Sequence, residues 1–186
     1  MWTFDFRIRR ADMIDIPGLR LMQERSLRIL GRDFYTAKVL DAFLQRMSTM
    51  DESVVAEGHY FTAIDVSGRF VGSGGWSRRR PGYDGGGLQA GLPADTGLVR
   101  SVFVEPDWAR RGVASALMRQ VESDAMRCGI RHLRLAATLS GVDFYRSRGY
   151  RAVNAGAFDL GPDEAFGYVD MTKALMQMDE LNSLAS

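Results

Sequence analysis

The chain has 186 residues, of which 46% are hydrophobic, and its formal net charge is +1. This length and composition predict a single globular domain over residues 1–186. The small net charge gives no reason to expect nucleic acid or a membrane as a partner, and a single cysteine excludes an intrachain disulfide framework. Because the N-terminus lacks a signal-peptide pattern and no apolar run approaches the roughly 20 residues of a membrane span, we expect a cytoplasmic protein.

Strand and helix patterns alternate in the first half of the chain. Residues 4–8 alternate apolar with charged side chains, which is typical of a strand with one buried face. Asp12 or Asp15 can cap the helix that follows, and Gly31 ends it. The next predicted elements are a helix over residues 34–47 and two strands, 60–66 and 69–76, that form a hairpin around Ser67 and Gly68.

The stretch between Ser77 and Thr96 has little periodicity and differs from its surroundings in composition. Residues 78–95 contain three consecutive arginines, two prolines and five glycines. Loops of this length inside a domain are often lids or binding segments. An insertion without functional consequence is an equal alternative.

The stretch from Leu98 to Gly129 predicts a strand, a basic turn and a helix. Pro106 ends the strand because proline cannot donate to a strand ladder. The turn is Arg110-Arg111-Gly112, and the helical period begins at Val113. Free amides and the helix dipole beside two arginines predict an anion-binding site. The predicted buried face of the helix is Val113, Ala114, Leu117, Met118, Val121, Ala125 and Cys128, and the predicted solvent face is Arg119, Gln120, Glu122, Asp124 and Arg127.

The last part of the chain again alternates between strands and a helix. The predicted elements are a strand over residues 132–137, a short helix over 142–148 that Gly149 can cap, strands over 151–158 and 168–175, and a weakly helical tail over 176–186. The element order β-α-α-β-β-β-α-β-α-β-β suggests a mixed sheet covered by helices.

Two motifs in the second half resemble those of a known superfamily. Residues 104–114, VEPDWARRGVA, resemble the acetyl-CoA-binding motif of the GCN5-related N-acetyltransferases (GNAT), and residues 144–150, FYRSRGY, resemble their second signature. The resemblance implies an α+β fold over residues 4–175, with a mixed, mostly antiparallel and twisted sheet of about six or seven strands flanked by about four helices. It also implies one N-acetyltransferase domain, in which residues 176–186 form a tail.

The resemblance assigns a coenzyme site to these motifs. Gly112 lets the backbone approach a pyrophosphate closely. The strand edge before Pro106 is expected to pair with the pantetheine arm and to present a backbone N–H to the thioester oxygen, which is worth about 2.7–4 kcal/mol of barrier. Ala109 departs from the Gln or Arg that relatives carry at that position. The implied coenzyme-binding residues are Val102, Phe103, Val104, Arg110, Arg111, Gly112, Val113, Ala114, Ser115 and Phe144.

Tyr145 matches the tyrosine that in many relatives donates a proton to the departing sulfur. An ordinary tyrosine has a pKa of ~10 and a thiol a pKa of ~8.5, so complete transfer is uphill by roughly 2 kcal/mol. Tyr145 therefore acts either with a lowered pKa or as a hydrogen-bond donor without complete transfer. An aromatic side chain that only packs beneath the coenzyme is the structural alternative.

The sequence offers no clear general base. Relatives often carry a glutamate on the strand before the coenzyme turn, where this chain has Leu98, Arg100 and Ser101. A base that acts through water and the deprotonated fraction of the amine itself both remain open. The candidates by residue type, each with an ordinary surface role as the favoured interpretation, are Glu57, His59 and Glu105.

Neither a nucleophilic thiol nor a metal site is predicted. Cys128 lies on the predicted apolar face of the central helix, so we expect a buried, inert thiol. His59 and His132 lie far apart without ligand spacing around them, so the sequence predicts no metal.

These features predict an acetyl-CoA-dependent N-acetyltransferase that acts on a primary amine of a small molecule or peptide by direct attack in a ternary complex. Three consecutive arginines, Arg78, Arg79 and Arg80, hint at an acceptor with an acidic group, although such runs are usually solvated. The alternative is a non-catalytic acyl-CoA-binding or regulatory module of the same fold. Exposed strand edges near the C-terminus leave a homodimer open.

Overall fold

A seven-stranded sheet forms the centre of the computed structural model, which describes residues 5–50, 52–78, 92–162 and 164–175. Its strands are β1 (Phe6–Arg10), β2 (Tyr60–Asp65), β3 (Phe70–Ser77), β4 (Thr96–Val104), β5 (His132–Thr138), β6 (Arg151–Asp159) and β7 (Ala165–Ala174). The α-helices of the described residues are α1 (Ile16–Leu30), α2 (Ala37–Arg46), α3 (Glu52–Ala56), α4 (Val113–Arg127) and α5 (Val142–Ser147). The predicted α+β class with a mixed sheet is confirmed.

The differences from the predicted elements are local. Helix α3 has five residues, too few to show a helical period in the sequence, and the sequence pattern does not predict it. Strand β4 begins at Thr96 rather than Leu98, and β7 begins at Ala165 rather than Tyr168, because these residues continue the ladders with β5 and β6. Predictions for residue 4, for the centre of the 77–96 loop and for the 176–186 tail lie outside the described residues.

Strands β4 and β5 pair over only a short length. The sheet order is β1-β2-β3-β4-β5-β7-β6, and every neighbouring pair except β4 and β5 is antiparallel. Thr96, Gly97 and Leu98 of β4 pair in parallel with residues 132–134 of β5. β4 then continues to Val104 with β3 on its other side. The β5-facing main-chain groups of residues 99–104 therefore have no ladder partner among the described strands.

Helices cover both faces of the sheet. On β3, a side chain at Gly72 would meet Val113 of α4, whereas Ser73 accepts a hydrogen bond from Gln23 of α1. Neighbouring strand residues point to opposite faces, so α4 lies on one face and α1 on the other. On the α4 face Leu117 is fully buried in the largest apolar cluster, and each such side chain contributes about 1.5–3 kcal/mol. Within the described ranges, no helix is long and apolar enough to cross a bilayer.

Two residues of the predicted solvent face of α4 are buried. Asp124 is 1% exposed and Glu122 is 8% exposed. Oδ2 of Asp124 accepts a hydrogen bond from Trp76 Nε1 at 2.9 Å and lies 2.7 Å from His59 Nδ1. Oδ1 accepts from Arg127 Nη2 at 2.9 Å. Glu122 is paired with Lys173 and Arg148. The solvent-face prediction is wrong at these two positions, since specific partners replace water around each carboxylate.

The partners of Asp124 also control its ionisation. Burial raises the pKa of the Asp124 carboxyl, but the hydrogen bonds from Trp76, Arg127 and His59 outweigh burial, so its pKa lies below the ordinary value of 3.8. The charged form is therefore stabilised by folding. Because Trp76 lies on β3 and His59 immediately precedes β2, this carboxylate ties α4 to two strands.

We expect Asp124→Ala to lower the free energy of unfolding by about 3–5 kcal/mol, because it leaves the buried partners without their acceptor. A carboxyl with a depressed folded-state pKa stabilises above its unfolded pKa, and the contribution is lost as pH falls through the folded-state value. The difference between wild type and variant should therefore shrink below about pH 4. Urea unfolding at several pH values measures it. Asp41→Ala, which removes only the exposed pair with Arg28, should cost at most about 1 kcal/mol.

Candidate active site

A cavity of about 920 Å³ opens where β4 and β5 diverge. One wall is β4 from Leu98 to Val104, and another is the turn before α4 with the first residues of that helix. The end of β5 and helix α5 form the side opposite β4. The remaining wall comes from the end of α1, from α2 and the residues after it, and from β6 and β7. The cavity is therefore open to both faces of the sheet, with the start of α4 on one face and α1 and α2 on the other.

The start of α4 presents unpaired amides to this cavity. Gly112 precedes the helix in the left-handed conformation, with φ of +82°, and no side chain caps the helix. The first intrahelical bond runs from Ala116 N to Gly112 O at 2.9 Å, so the amides of Val113 and Ser115 lack helical acceptors. Arg110 also has a positive φ, +64°, and lines the cavity. Amides, dipole and guanidinium together form a site suited to a phosphate.

A bulge shapes the middle of β4. The register against β3 shifts between Ser73 and Gly75, and Ser101 has φ of +49°. Ser101 Oγ donates to the carbonyl of Thr49 at 2.6 Å, and the Ser101 carbonyl accepts from the Tyr60 hydroxyl at 2.8 Å. These bonds fix β4 from the α1 and α2 side and hold its unpaired edge open toward β5.

Tyr145 lies in the wall opposite β4. It belongs to α5, is 8% exposed, and its ring contacts those of Phe144 and Tyr150 at centroid distances of 5.1 Å and 5.5 Å. Burial raises the pKa of Tyr145 above its ordinary value, and the nearby Arg148 lowers it by less. The hydroxyl therefore stays protonated, and of the two alternatives from the sequence, a lowered pKa is disfavoured.

The structure places most of the predicted site residues around one cavity. Arg111 is the exception: its guanidinium lies 5.1 Å from the centre of the Trp108 ring, and Arg111 is not part of the wall. Its role stays a prediction. The residues that line the cavity as expected are Val102, Phe103, Val104, Arg110, Gly112, Val113, Ala114, Ser115, Phe144 and Tyr145.

The three candidate bases lie elsewhere. Glu57 accepts a hydrogen bond from Ser77 Oγ at 2.7 Å, and His59 faces Asp124. Glu105 is only 6% exposed and pairs with Arg25 of α1 at 2.7 Å, so its expected surface role is wrong. None of the three borders the large cavity. Among the described residues that do, the sole carboxylate is Asp143, whose side chain is 94% exposed.

The wall from α1, α2 and β7 has no signature in the sequence. Tyr35, between α1 and α2, donates to the carbonyl of Gly167 and accepts from the amide of Leu139, both at 2.7 Å. Its ring stacks on Phe166 at 4.2 Å, and burial raises the pKa of Tyr35 to about 12. Phe43 of α2 stacks on the same Phe166 ring at 4.1 Å and also lines the cavity. Apolar residues at helical spacing indicate that such side chains are buried, but not which cavity they border.

A second group of ligand-type side chains lies away from the large cavity. His59, Asp124 and Cys128 place potential ligand atoms within 4.8 Å of one another. Asp124 already accepts hydrogen bonds from two arginines, Arg10 and Arg127, and their charge disfavours a cation. Cys128 is partly buried, not fully buried as expected.

Arg78 lies beside this second group. It donates to the carbonyls of Ala94 and Cys128 and borders a small cavity of about 220 Å³ with Glu57, His59 and Trp76. It therefore does not face the large cavity. Arg79 and Arg80 lie outside the described residues.

Comparison with known proteins gives a consistent result. Residues 32–175 match the model of the acetyltransferase (GNAT) domain family. Similar solved structures include a GCN5-related N-acetyltransferase from Rhodopseudomonas palustris, with 22% identity, a TM-score of 0.70 and coverage of 94% of this chain and 99% of that chain. The PaiA N-acetyltransferase of Thermoplasma acidophilum, in complex with coenzyme A, is 12% identical with a TM-score of 0.65 and coverage of 92% and 99%. The ribosomal-protein-S18-alanine N-acetyltransferase of Escherichia coli is 14% identical, with a TM-score of 0.60 and coverage of 92% and 95%. No curated protein sequence matches the chain.

The left-handed glycines at the two ends of α4 allow a matched test of the anion site. Gly112 and Gly129 have φ of +82° and +79°, and a side chain at either position would meet nothing within 4 Å. Alanine should therefore cost about 1–2 kcal/mol of stability at both. Only Gly112→Ala should also weaken coenzyme A binding, because a methyl group there prevents the close approach of the pyrophosphate to the backbone. The loss of one charge-assisted hydrogen bond corresponds to about a tenfold weaker affinity. Calorimetric titration and urea unfolding of both variants measure this, and an equal effect on binding would contradict the assignment.

Proposed function

The chain belongs to the acetyltransferase (GNAT) domain family, and on that premise we propose that it transfers the acetyl group of acetyl-CoA to a primary amine of a small molecule or peptide, by direct attack in a ternary complex. The observation that carries the proposal is the convergence of three features on one cavity. These are the amides at the start of α4, the unpaired edge of β4 and the side chain of Tyr145.

The residues present fit an acyl-CoA donor. The amides that follow Gly112 suit a pyrophosphate, and Arg110 adds positive charge. The unpaired main-chain groups of residues 99–104 suit an extended arm that carries amides of its own. Crystals of the Thermoplasma acidophilum neighbour contain coenzyme A, which supports the same ligand here. When bound, acetyl-CoA supplies the thioester whose carbonyl carbon the amine attacks.

The residues of the chain have separable tasks in the transfer. The amine nitrogen bonds to the carbonyl carbon, the carbon–sulfur bond breaks, and the proton that the nitrogen loses passes through water to the departing sulfur. A backbone N–H of Val102, Phe103 or Val104 stabilises the charge that develops on the carbonyl oxygen. Tyr145 donates a hydrogen bond to the sulfur, and its raised pKa favours this over complete proton transfer.

Deprotonation of the acceptor does not require an enzyme carboxylate. Asp143 is the one acid among the described residues of the wall, and it is exposed and paired with Arg146 at 3.2 Å. We therefore propose that the acceptor reacts as its neutral fraction, which has lost its ammonium proton to solvent water before it binds.

A non-catalytic acyl-CoA-binding module is the second candidate. The stretch of β4 where many relatives carry a glutamate has Leu98, Arg100 and Ser101 here, and all three line the cavity. A domain with the coenzyme site but without a base would bind acetyl-CoA and release no thiol.

Thiol release from acetyl-CoA in the presence of a broad panel of primary amines separates the two candidates. An N-acetyltransferase should release thiol with at least one amine, and Tyr145→Phe should lower kcat by about 10²-fold with little change in coenzyme A binding. Tyr150→Phe, which removes the hydroxyl of a neighbouring buried tyrosine that does not border the cavity, is the control. Tight binding of acetyl-CoA without thiol release for any amine would favour the module.

The pH profile of kcat/KM tests whether the acceptor amine is deprotonated in solution or by a base of the enzyme. If the neutral acceptor is the reactant, log kcat/KM should rise with unit slope up to the acceptor's own pKa. Two acceptors whose amine pKa values differ by about 2 should give profiles displaced by the same amount. If log kcat/KM instead stops rising at the same pH for both acceptors, the proton is lost to a base of the enzyme.

A further inference from the structure

Two large apolar side chains at the mouth of the cavity have no place in the core. Leu30, at the end of α1, is 36% exposed, and Phe34, just after that helix, is 52% exposed. Both line the cavity, and neither belongs to an apolar cluster of the described chain. Exposed apolar surface that borders a cavity is typical of a binding site. A ligand that covers these two side chains would therefore gain from their burial.

Aromatic rings continue this surface into the cavity. Phe43 stacks on Phe166 at a centroid distance of 4.1 Å and lies 6.3 Å from Phe158, which packs on Tyr168 at 4.7 Å. All four rings line the cavity, and Phe158 is only partly buried. Together with Phe34 they form what we call the aromatic wall. Ring pairs at such distances attract one another beyond their buried area, so a ring of a ligand would extend the same packing.

The aromatic wall lies on the opposite face of the sheet from the phosphate-binding turn. Phe43 and Phe166 pack in the cluster of α1 and α2, whereas Val113, at the start of α4, packs in the cluster beneath α4. The start of α4 suits the pyrophosphate of the donor, and the edge of β4 suits its extended arm. The aromatic wall is therefore left for the acceptor.

The turn that carries Phe34 is fixed by the protein itself. The carbonyl of Gly31 accepts hydrogen bonds from the amides of Phe34 and Tyr35 at 2.9 Å and 3.0 Å. The hydroxyl of Tyr35 is bonded in turn to the main chain at Gly167 and Leu139. Phe34 therefore stays at the mouth of the cavity, although half of its surface is exposed to water.

The described polar side chains of the cavity give no reason to expect a second charge on the acceptor. Asp143 is the one described carboxylate at the wall, and it is exposed and paired. A second ammonium group would therefore find no buried acid among the described residues of the wall. Arg100 is buried and has an interaction partner within the protein, so it requires no ligand anion. The hydroxyls of Ser48 and Ser101 already donate to main-chain carbonyls.

We propose that the acceptor is a small amine whose nitrogen is joined to an aromatic ring by a short aliphatic linker, and that the aromatic wall binds this ring. The inference rests on the N-acetyltransfer proposed above. The linker allows the ring to lie against the aromatic wall while the nitrogen reaches the gap between β4 and β5, where the thioester is attacked. Leu30 and Phe34 cover the outer side of the ring and exclude water from it.

The test compares amines that differ in one feature at a time. Phenylethylamine is assayed beside cyclohexylethylamine, which has a saturated ring, ethylamine, which has no ring, and diaminobutane, which has a second ammonium group. Thiol release from acetyl-CoA is measured, and rates are corrected for the neutral fraction of each amine. The wild type should prefer phenylethylamine to ethylamine and diaminobutane by about 10- to 100-fold in kcat/KM. It should prefer phenylethylamine to cyclohexylethylamine by about 2- to 10-fold.

Variants at the mouth of the cavity test the wall directly. Phe34→Ala should lower kcat/KM for phenylethylamine by about tenfold, mainly through KM, because part of the ring loses its cover. The same variant should leave ethylamine unaffected, and Leu30→Ala should act in the same direction. Leu21→Ala is the matched control, since Leu21 is also an exposed apolar residue of α1, at 70%, but does not border the cavity. It should change the rate with neither amine.

The outcomes separate this inference from the function on which it rests. Thiol release with ethylamine or diaminobutane at least as fast as with phenylethylamine overturns the inference and leaves the acetyltransferase in place. Equal rates with the aromatic and the saturated ring also overturn it. An equal loss for phenylethylamine and ethylamine in Phe34→Ala assigns Phe34 a structural role and counts against it in the same way. No thiol release with any amine overturns both the inference and the proposed function.

Discussion

The divergence of β4 from β5 after three parallel pairs is the constraint on which the rest of the site depends. Buried main-chain groups need hydrogen-bond partners, and residues 99–104 present theirs to a gap and not to a strand. The parallel pairing also requires a crossover, which α4 provides, and this places the start of α4 at the open end of the gap. One topological feature thus creates both an unpaired strand edge and, beside it, a helix start whose free amides suit an anion.

Backbone strain is concentrated at the same place. Ser101 and Arg110 are the non-glycine residues with positive φ in the described parts of the chain, and both line the cavity. Each such conformation costs about 1–3 kcal/mol and persists only where its surroundings hold it. Ser101 is held by the Thr49 carbonyl and the Tyr60 hydroxyl. These two hydrogen bonds therefore hold the middle of β4 in its strained conformation.

The sequence and the structure agree best where the function depends on local backbone shape. Gly112 and the residues after it can be assigned from their order alone, because a turn followed by a helix start is a local structure. The wall from α1, α2 and β7 could not be assigned, because Phe43 and Phe166 come from elements far apart in the sequence, and the Tyr35 hydrogen bonds that join these elements leave no pattern in it. The burial of the two α4 carboxylates could not be predicted from the helical period either. That period reflects the polarity of the side chains, and not the partners that compensate a buried charge.

The central claim is that the gap between β4 and β5 and the start of α4 bind one acyl-CoA molecule. Amide hydrogen exchange of the protein, measured by NMR with and without acetyl-CoA, tests it most directly. The account predicts slower exchange at the amides of residues 99–104 and 113–115 on binding, with no change along the outer strand β6. Unchanged exchange in both segments, or protection confined to the small cavity around His59 and Trp76, would contradict it.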